Sequence, residues 1–320
     1  MRFGRRIIYV FVSVFAIIGT VYLIWLQSDN SETPKVLREK RRPKDFIDHP
    51  VFEHKTSLPK LSFPKLKIFK GGAENENNKI PCVKLNTFRG QIPICIFDPA
   101  IDRMISSYVK DYGTWEQDLM NETGQVLLQK PHLTFVDIGC NIGTFTLFSA
   151  QLGTRVIAVD ILESALNLVH KSLLKGDLHK NVTLVLNAIS DIRENVKVRV
   201  VKENPGGSYI EQNNTSDKSV DAILLDDLIS LVGSGSVFLK MDIEGNELKA
   251  LKGGSRFFQV LNVEHILMEW MLHRYSPNGK EIVQFLLRNG MLPYESLSRQ
   301  TPLDLKTPYQ WPDNIFWSKR

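Results

Sequence analysis

Residues 136–143 read Val136-Asp137-Ile138-Gly139-Cys140-Asn141-Ile142-Gly143. A short apolar strand over 134–140 runs into this turn, and an apolar helix over 143–152 runs out of it to Gly153. Such a junction is the first βα unit of a doubly wound sheet, where glycine lets a ligand approach the backbone closely. The spacing is D-x-G-x-x-x-G, so the pyrophosphate fingerprint G-x-G-x-x-G is absent. An acid ahead of the first glycine repels phosphate and suits a cationic ligand. A glycine turn with Asp137 as a plain helix cap is the simpler alternative.

Downstream, strand-like and helix-like stretches alternate, which predicts a parallel sheet with crossover helices. A second strand, Arg155–Asp160, ends on an acid placed to accept both hydroxyls of a ribose, unless Asp160 is only a solvated strand end. An amphipathic helix is expected over 164–175 and a third strand over 181–190. Asn187 and Ala188 sit at the end of that third strand, where an adenine edge is usually met. Further strands are expected over 195–202 and 219–225, around a glycine-rich loop at Gly206-Gly207.

A fourth strand over 237–242 delivers Lys240 and Asp242 to one face by its period of two, with Glu244 just beyond. Alternating charges on a buried strand are costly unless paired or used. An internal Lys–Asp pair with an acid-rich helix start is the plain reading. A helix over 247–252 and a fifth strand over 264–270 follow, and Glu269 lies at that strand's end. Asn278, with Glu281 three residues on, predicts a capped helix closed by Gly290. Residues 291–297 and 314–318 are candidate edge strands, antiparallel pairing being one option.

S-adenosylmethionine carries an ammonium and a sulfonium and no phosphate, so it fits the first turn. Asp137, Gly139, Asn141, Gly143, Asp160, Asn187 and Ala188 are its expected contacts. These stretches together resemble the FkbM-type family of S-adenosylmethionine-dependent methyltransferases. The resemblance runs through VDIGCNIGTFTL (136–147), Asp160, NAISD (187–191), LDDL (225–228) and KMDIEGNELKALKGG (240–254). It covers about residues 95–318, and KMDIEG is its discriminating piece. It implies an α/β fold with a seven-stranded, Rossmann-like class I methyltransferase sheet, helices on both faces, and methylation of a hydroxyl oxygen. The segment 97–120 looks like the family's N-terminal element and makes Trp115 and Glu116 expected contacts to donor or substrate.

An alcohol needs a base near its proton. Asp242 is the first choice, with Lys240 holding it ionised or orienting the substrate. Glu244, Glu269 and His273 are the other candidates, Glu269 doubling as a substrate contact. Asp242, Glu244 and Glu269 are also a conceivable site for a divalent cation, but no His-rich spacing supports one, and no metal is assigned.

The chain has 320 residues, 43% apolar and 23% charged, enough to bury a large core. Its net charge of +5 is uneven: residues 1–70 hold 14 basic and 6 acidic side chains, leaving 26 basic and 29 acidic in the remainder. The folded part therefore has no net attraction for nucleic acid. Residues 7–26 carry no charge over a length of roughly 30 Å and predict one transmembrane helix after a short basic tail, 1–6. Residues 27–79, rich in Pro and Lys, read as a stem or linker; 80–130 read as a cap and 131–320 as the catalytic domain. Three basic residues precede the span, but six more lie soon after it, so the charges do not fix orientation. Sequons at Asn121, Asn181, Asn213 and Asn214 favour a type II protein with a lumenal domain in the Golgi or endoplasmic reticulum; a cytosol-facing domain is the alternative. Of the three cysteines, Cys82 and Cys95 are a candidate disulfide and Cys140 is left over.

The expected function is thus methyl transfer to a hydroxyl of a glycan or other small acceptor. A protein or lipid acceptor, or a membrane-tethered binding protein that keeps the donor pocket without catalysis, are the rivals. The sequence assigns no oligomeric state.

Overall fold

The computed structural model describes residues 64–71, 80–211, 215–298 and 301–319. These fall in the second of two units, Lys60–Arg320. The expected span at 7–26 and the sequons at Asn213 and Asn214 lie outside the described residues. Among the described residues no helix is long and apolar enough to cross a membrane.

In chain order the elements are β1 (Ile68–Phe69), β2 (Cys82–Thr87), β3 (Gly90–Cys95), α1 (Ile105–Tyr112), α2 (Gln117–Gln129), β4 (Leu133–Ile138), α3 (Thr144–Gln151), β5 (Arg155–Asp160), α4 (Glu163–Lys175), β6 (Val182–Leu186), β7 (Ala188–Ser190) and β8 (Glu194–Arg199). They continue as β9 (Tyr209–Glu211), β10 (Ser219–Leu224), α5 (Ile229–Val232), β11 (Ser236–Met241), α6 (Glu247–Lys252), α7 (Ser255–Val260), β12 (Asn262–Glu269), α8 (Pro277–Arg288), β13 (Met291–Tyr294) and β14 (Asn314–Lys319).

The main sheet runs β1-β6-β5-β4-β11-β12-β14-β13. Strands β6, β5, β4, β11 and β12 are mutually parallel, while β14 runs antiparallel between β12 and β13. Both sheet faces are covered, so the central strands read as continuous apolar runs rather than alternating ones. One core joins Phe135, Ala158, Phe238 and Leu267 to α2, α3, α4 and the β2–β3 hairpin. The other joins Val136, Ile157, Leu239 and Ile266 to α6, α7 and α8. The period of two then places Asp137, Asp160, Lys240 and Glu269 together on the first of these faces, at the carboxyl ends of their strands.

Three expectations need correction. The sheet has eight strands, not seven, because β1 pairs antiparallel with β6. Those residues belong to the stretch read as a stem, so its end is part of the fold. The strand expected over 181–190 breaks at Asn187: β6 stays in the main sheet, whereas β7 pairs with β10 in a second sheet, β7-β10-β8-β9. Finally, α8 is capped by Ser276, whose hydroxyl accepts the Asn278 N–H at 3.1 Å, with Pro277 opening the helix. Cys82 and Cys95 face each other across β2–β3 and form a disulfide, and Cys140 is buried and free. Asn181 is exposed, whereas Asn121 is half-buried on α2.

Candidate active site

The turn after β4 is held from two sides. Gly139 and Cys140 donate their N–H groups to the Val159 carbonyl at 2.9 and 3.1 Å. Asn141, in the left-handed region at φ 51°, donates its N–H to Asp160 Oδ2 at 2.8 Å, and Leu162 N–H donates to Oδ1 at 2.8 Å. Gly139 is also left-handed, and a Cβ there would lie 1.8 Å from the Asp242 carbonyl oxygen. The glycine turn and the end of β11 are therefore in direct contact, and only glycine permits it.

Lys240 is the hub beneath this turn. It is 5% exposed, and its Nζ lies 3.3 Å from Asp242 Oδ2, 3.7 Å from Asp137 Oδ1 and 3.4 Å from the Gly139 carbonyl. The Phe145 ring centroid is 5.3 Å away. Burial opposes the ammonium, but Asp242 and Asp137 outweigh it and raise its pKa. Asp137 is fully buried; its Oδ2 accepts the Thr146 hydroxyl at 2.7 Å. Burial raises its pKa, against the pull of Lys240. Asp137 therefore faces Lys240 and Thr146, and Asp242, partly exposed, is the acid that borders the cleft.

Around this hub stand three further carboxyls. Glu116, left-handed at φ 45°, accepts the Asn314 amide at 3.2 Å; burial, then Asp242, pushes it up to about 7. Glu244, at φ 54°, is raised by burial and Asp242 to about 8. Glu269 is raised by burial and Asp242 to about 10, and its buried Oε2 has no hydrogen-bond partner. Asp160 is raised by burial to about 6, although two backbone N–H groups oppose the shift.

The other candidates fall elsewhere. Trp115 packs on the first core and meets Tyr108 edge-on at 5.6 Å. His273 is 2% exposed and its Nε2 lies 2.7 Å from Glu247 Oε2. Glu247 Oε1 in turn accepts the Ile243 N–H at 2.9 Å, so the pair fixes the loop that carries Asp242 and Glu244. Asn187 spends its side chain on backbone groups: it accepts from Lys67 N–H at 2.7 Å and donates to the carbonyls of Lys65 and Asp221 at 3.2 and 2.9 Å. Ala188 lies in β7 opposite Ala222. Sequence reading missed Thr146 and Glu247 as partners, although Glu247 lies within the charged stretch that drew attention. Among the described residues no group of three His, Cys, Asp or Glu side chains is arranged to hold a metal ion.

Residues 137–292 match the model of the methyltransferase FkbM domain. The chain carries an FkbM methyltransferase domain. The match begins on Asp137 and takes in Asp160, Lys240, Asp242 and Glu269, while Glu116, Asn314 and β1 come from outside it. None of the curated proteins matches the chain. Similar solved structures include a SAM-dependent O-methyltransferase from Thermotoga maritima, at 13% identity over 74% of this chain and 77% of that one, with TM-score 0.37. Magnesium protoporphyrin IX methyltransferase from Synechocystis PCC 6803, solved with bound SAM, matches at 14% over 63% and 79%, with TM-score 0.37. A Streptococcus thermophilus rRNA methylase matches at 14% over 64% and 98%, with TM-score 0.36. These likenesses are weak and concern the fold alone.

The residues at the turn fit S-adenosylmethionine: a backbone free of side chain at Gly139, an acid at the end of β5, and acids in excess over the buried Lys240. Only an ionised Asp160 accepts two ribose hydroxyls while holding two N–H groups. Because its value lies near 6, affinity for S-adenosylhomocysteine is expected to fall as pH drops from 7 to 5. Titration calorimetry at several pH values checks this. A flat profile would remove Asp160 from the donor site.

Proposed function

We propose that the protein methylates a hydroxyl oxygen of a polyhydroxylated acceptor, a glycan of the secretory pathway, using S-adenosylmethionine. The observation that carries this reading is the cup of carboxyls around the buried Lys240, with Asp242 3.3 Å from its ammonium and Glu116, Glu244 and Glu269 close enough to feel the charge of Asp242. At neutral pH, values near 8 and 10 leave Glu244 and Glu269 largely protonated, able to donate hydrogen bonds. Asp242, beside the ammonium, serves as an acceptor. Side-by-side donors and acceptors suit the vicinal hydroxyls of a sugar, whereas a cation site would want every carboxylate ionised.

S-adenosylmethionine, when bound, supplies an electrophilic methyl group on its sulfonium. Asp242 accepts the proton of the attacking hydroxyl, and Lys240, whose ammonium donates to its Oδ2 at 3.3 Å, orients the carboxylate. Glu116, raised by burial to about 7 and held by the Asn314 amide, is the second candidate base. Glu247 and His273 keep the loop in register, and the glycine turn, packed against the Asp242 carbonyl, fixes where the base stands.

The Cys82–Cys95 disulfide and the exposed sequon at Asn181 support a lumenal domain behind the span proposed at 7–26. Residues 60–320 hold 30 basic and 29 acidic side chains, a near-balance that offers no strong attraction for a nucleic-acid backbone. The test incubates the full-length protein with S-adenosylmethionine and secretory-pathway glycans, reading S-adenosylhomocysteine release and the mass of the glycan. Release with a methylated sugar is expected. Release with lipid or protein acceptors alone would overturn the glycan assignment. Glycosidase sensitivity of the expressed protein is the accompanying check on topology.

A further inference from the structure

Strand β1 is two residues long, yet it is tied to the sheet with unusual care. Ile68 and Phe69 pair with Val185 and Leu184 of β6. Leu186 N–H donates to the Lys67 carbonyl at 2.9 Å, and Lys67 N–H donates to Asn187 Oδ1 at 2.7 Å. The Asn187 amide reaches the Lys65 carbonyl at 3.2 Å. Phe69 is buried and meets the His170 ring edge-on, with Gly71 packed on the same ring. A buried asparagine at the end of β6 is thus committed to holding an arm that lies outside the matched FkbM segment.

That arm borders a cavity of about 440 Å³. Its walls include Lys67 from the arm, Ile161 and Leu162 just after Asp160, Leu186 from β6, Val198 from β8 and Asp221 from β10. The volume lies in the range of small-ligand pockets, roughly 300–1,000 Å³. Leu162 also donates its N–H to Asp160, so the cavity begins one residue beyond the carboxylate assigned to the ribose. Ile161, Leu186 and Val198 offer apolar surface to a flat ring. Asp221, whose Oδ1 takes the Asn195 amide at 3.0 Å, has a second carboxylate oxygen to offer an exocyclic amine.

Adenine is expected here, beside the ribose acid and the end of β6; we propose that the arm at 65–69 is a wall of that cavity, so that arm docking and donor binding strengthen each other. The proposal rests on reading the cleft as an S-adenosylmethionine site. The coupling is reciprocal: whatever factor the docked arm adds to donor affinity, the donor adds to arm docking. The segment at the end of the stem is then part of the donor site rather than a passive spacer.

The experiment titrates S-adenosylhomocysteine into the full-length native protein, into Lys67→Pro and into Lys67→Trp. Proline removes the N–H that Asn187 accepts; tryptophan keeps the backbone bonds and fills the cavity. Each is expected to weaken binding about tenfold, the scale of one hydrogen bond and a lost pocket wall. Hydrogen exchange on the native protein gives a second readout that needs no variant: amides of 66–69 should exchange more slowly with S-adenosylhomocysteine present. Tight binding by the native protein that both variants retain, with exchange at 66–69 unchanged, overturns the arm's role and leaves the donor reading intact. No binding by the native protein overturns both.

Discussion

Asp242→Asn is expected to bind S-adenosylhomocysteine as the native protein does and to lose turnover by about a hundred- to ten-thousandfold, the usual contribution of a positioned base. Asparagine has the shape of aspartate but does not accept a proton from an attacking hydroxyl. Lys240 keeps Asp137 as its counter-ion at 3.7 Å, so the hub stays charge-balanced and the fold is retained. The turn is undisturbed, because its contact is with the backbone carbonyl of residue 242 and not the side chain. Donor affinity from calorimetry and S-adenosylhomocysteine release, measured on the same preparation, separate the two effects. Full turnover in the variant would take Asp242 out of the base role and pass it to Glu116, whose value near 7 suits the task.

Gly139→Ala should fail more broadly. The new Cβ would sit 1.8 Å from the Asp242 carbonyl oxygen, and no rotamer relieves a clash between a Cβ and a backbone atom. The residue also holds φ 81°, where an L side chain is strained. Separating turn from strand would break the Gly139 and Cys140 N–H bonds to Val159 or the Asp242 N–H bond to Ile138, at 2.9, 3.1 and 3.1 Å. Backbone strain of this kind costs up to about 3 kcal/mol before any hydrogen bond is lost. For a domain of this size that corresponds to a fall in Tm of roughly 10 °C. Thermal unfolding and donor titration check it; native stability with native affinity would mean that turn and strand do not touch.

Much of this site was legible because it sits where strand periodicity puts it. Arg155–Asp160 occurs as a strand with the bounds read from sequence. Lys240 and Asp242 share a face, and Lys240 stands opposite Asp137 in the β11–β4 register. Glu269 ends a strand read close to its place, whereas Glu116 came from the resemblance and the helix it precedes, Gln117–Gln129, was not read. What escaped was long-range. The Glu247–His273 pair joins residues 26 apart, and local pattern does not reveal such a contact. Asn187 looked like the end of one strand because apolar residues continue past it, yet its side chain marks the point where the chain leaves one sheet for another. Strand β1 has two residues set among Pro and Lys; its strand state comes from the open edge of β6, a tertiary cause that outweighs a linker-like composition.

The central claim is that acid around a glycine turn selects a cationic adenosyl donor over a phosphate-bearing one. The most direct measurement titrates the full-length protein with S-adenosylmethionine and, separately, with NAD. Saturable heat from the adenosyl sulfonium and none from NAD is the predicted result. Saturable binding of NAD with no response to S-adenosylmethionine would contradict it.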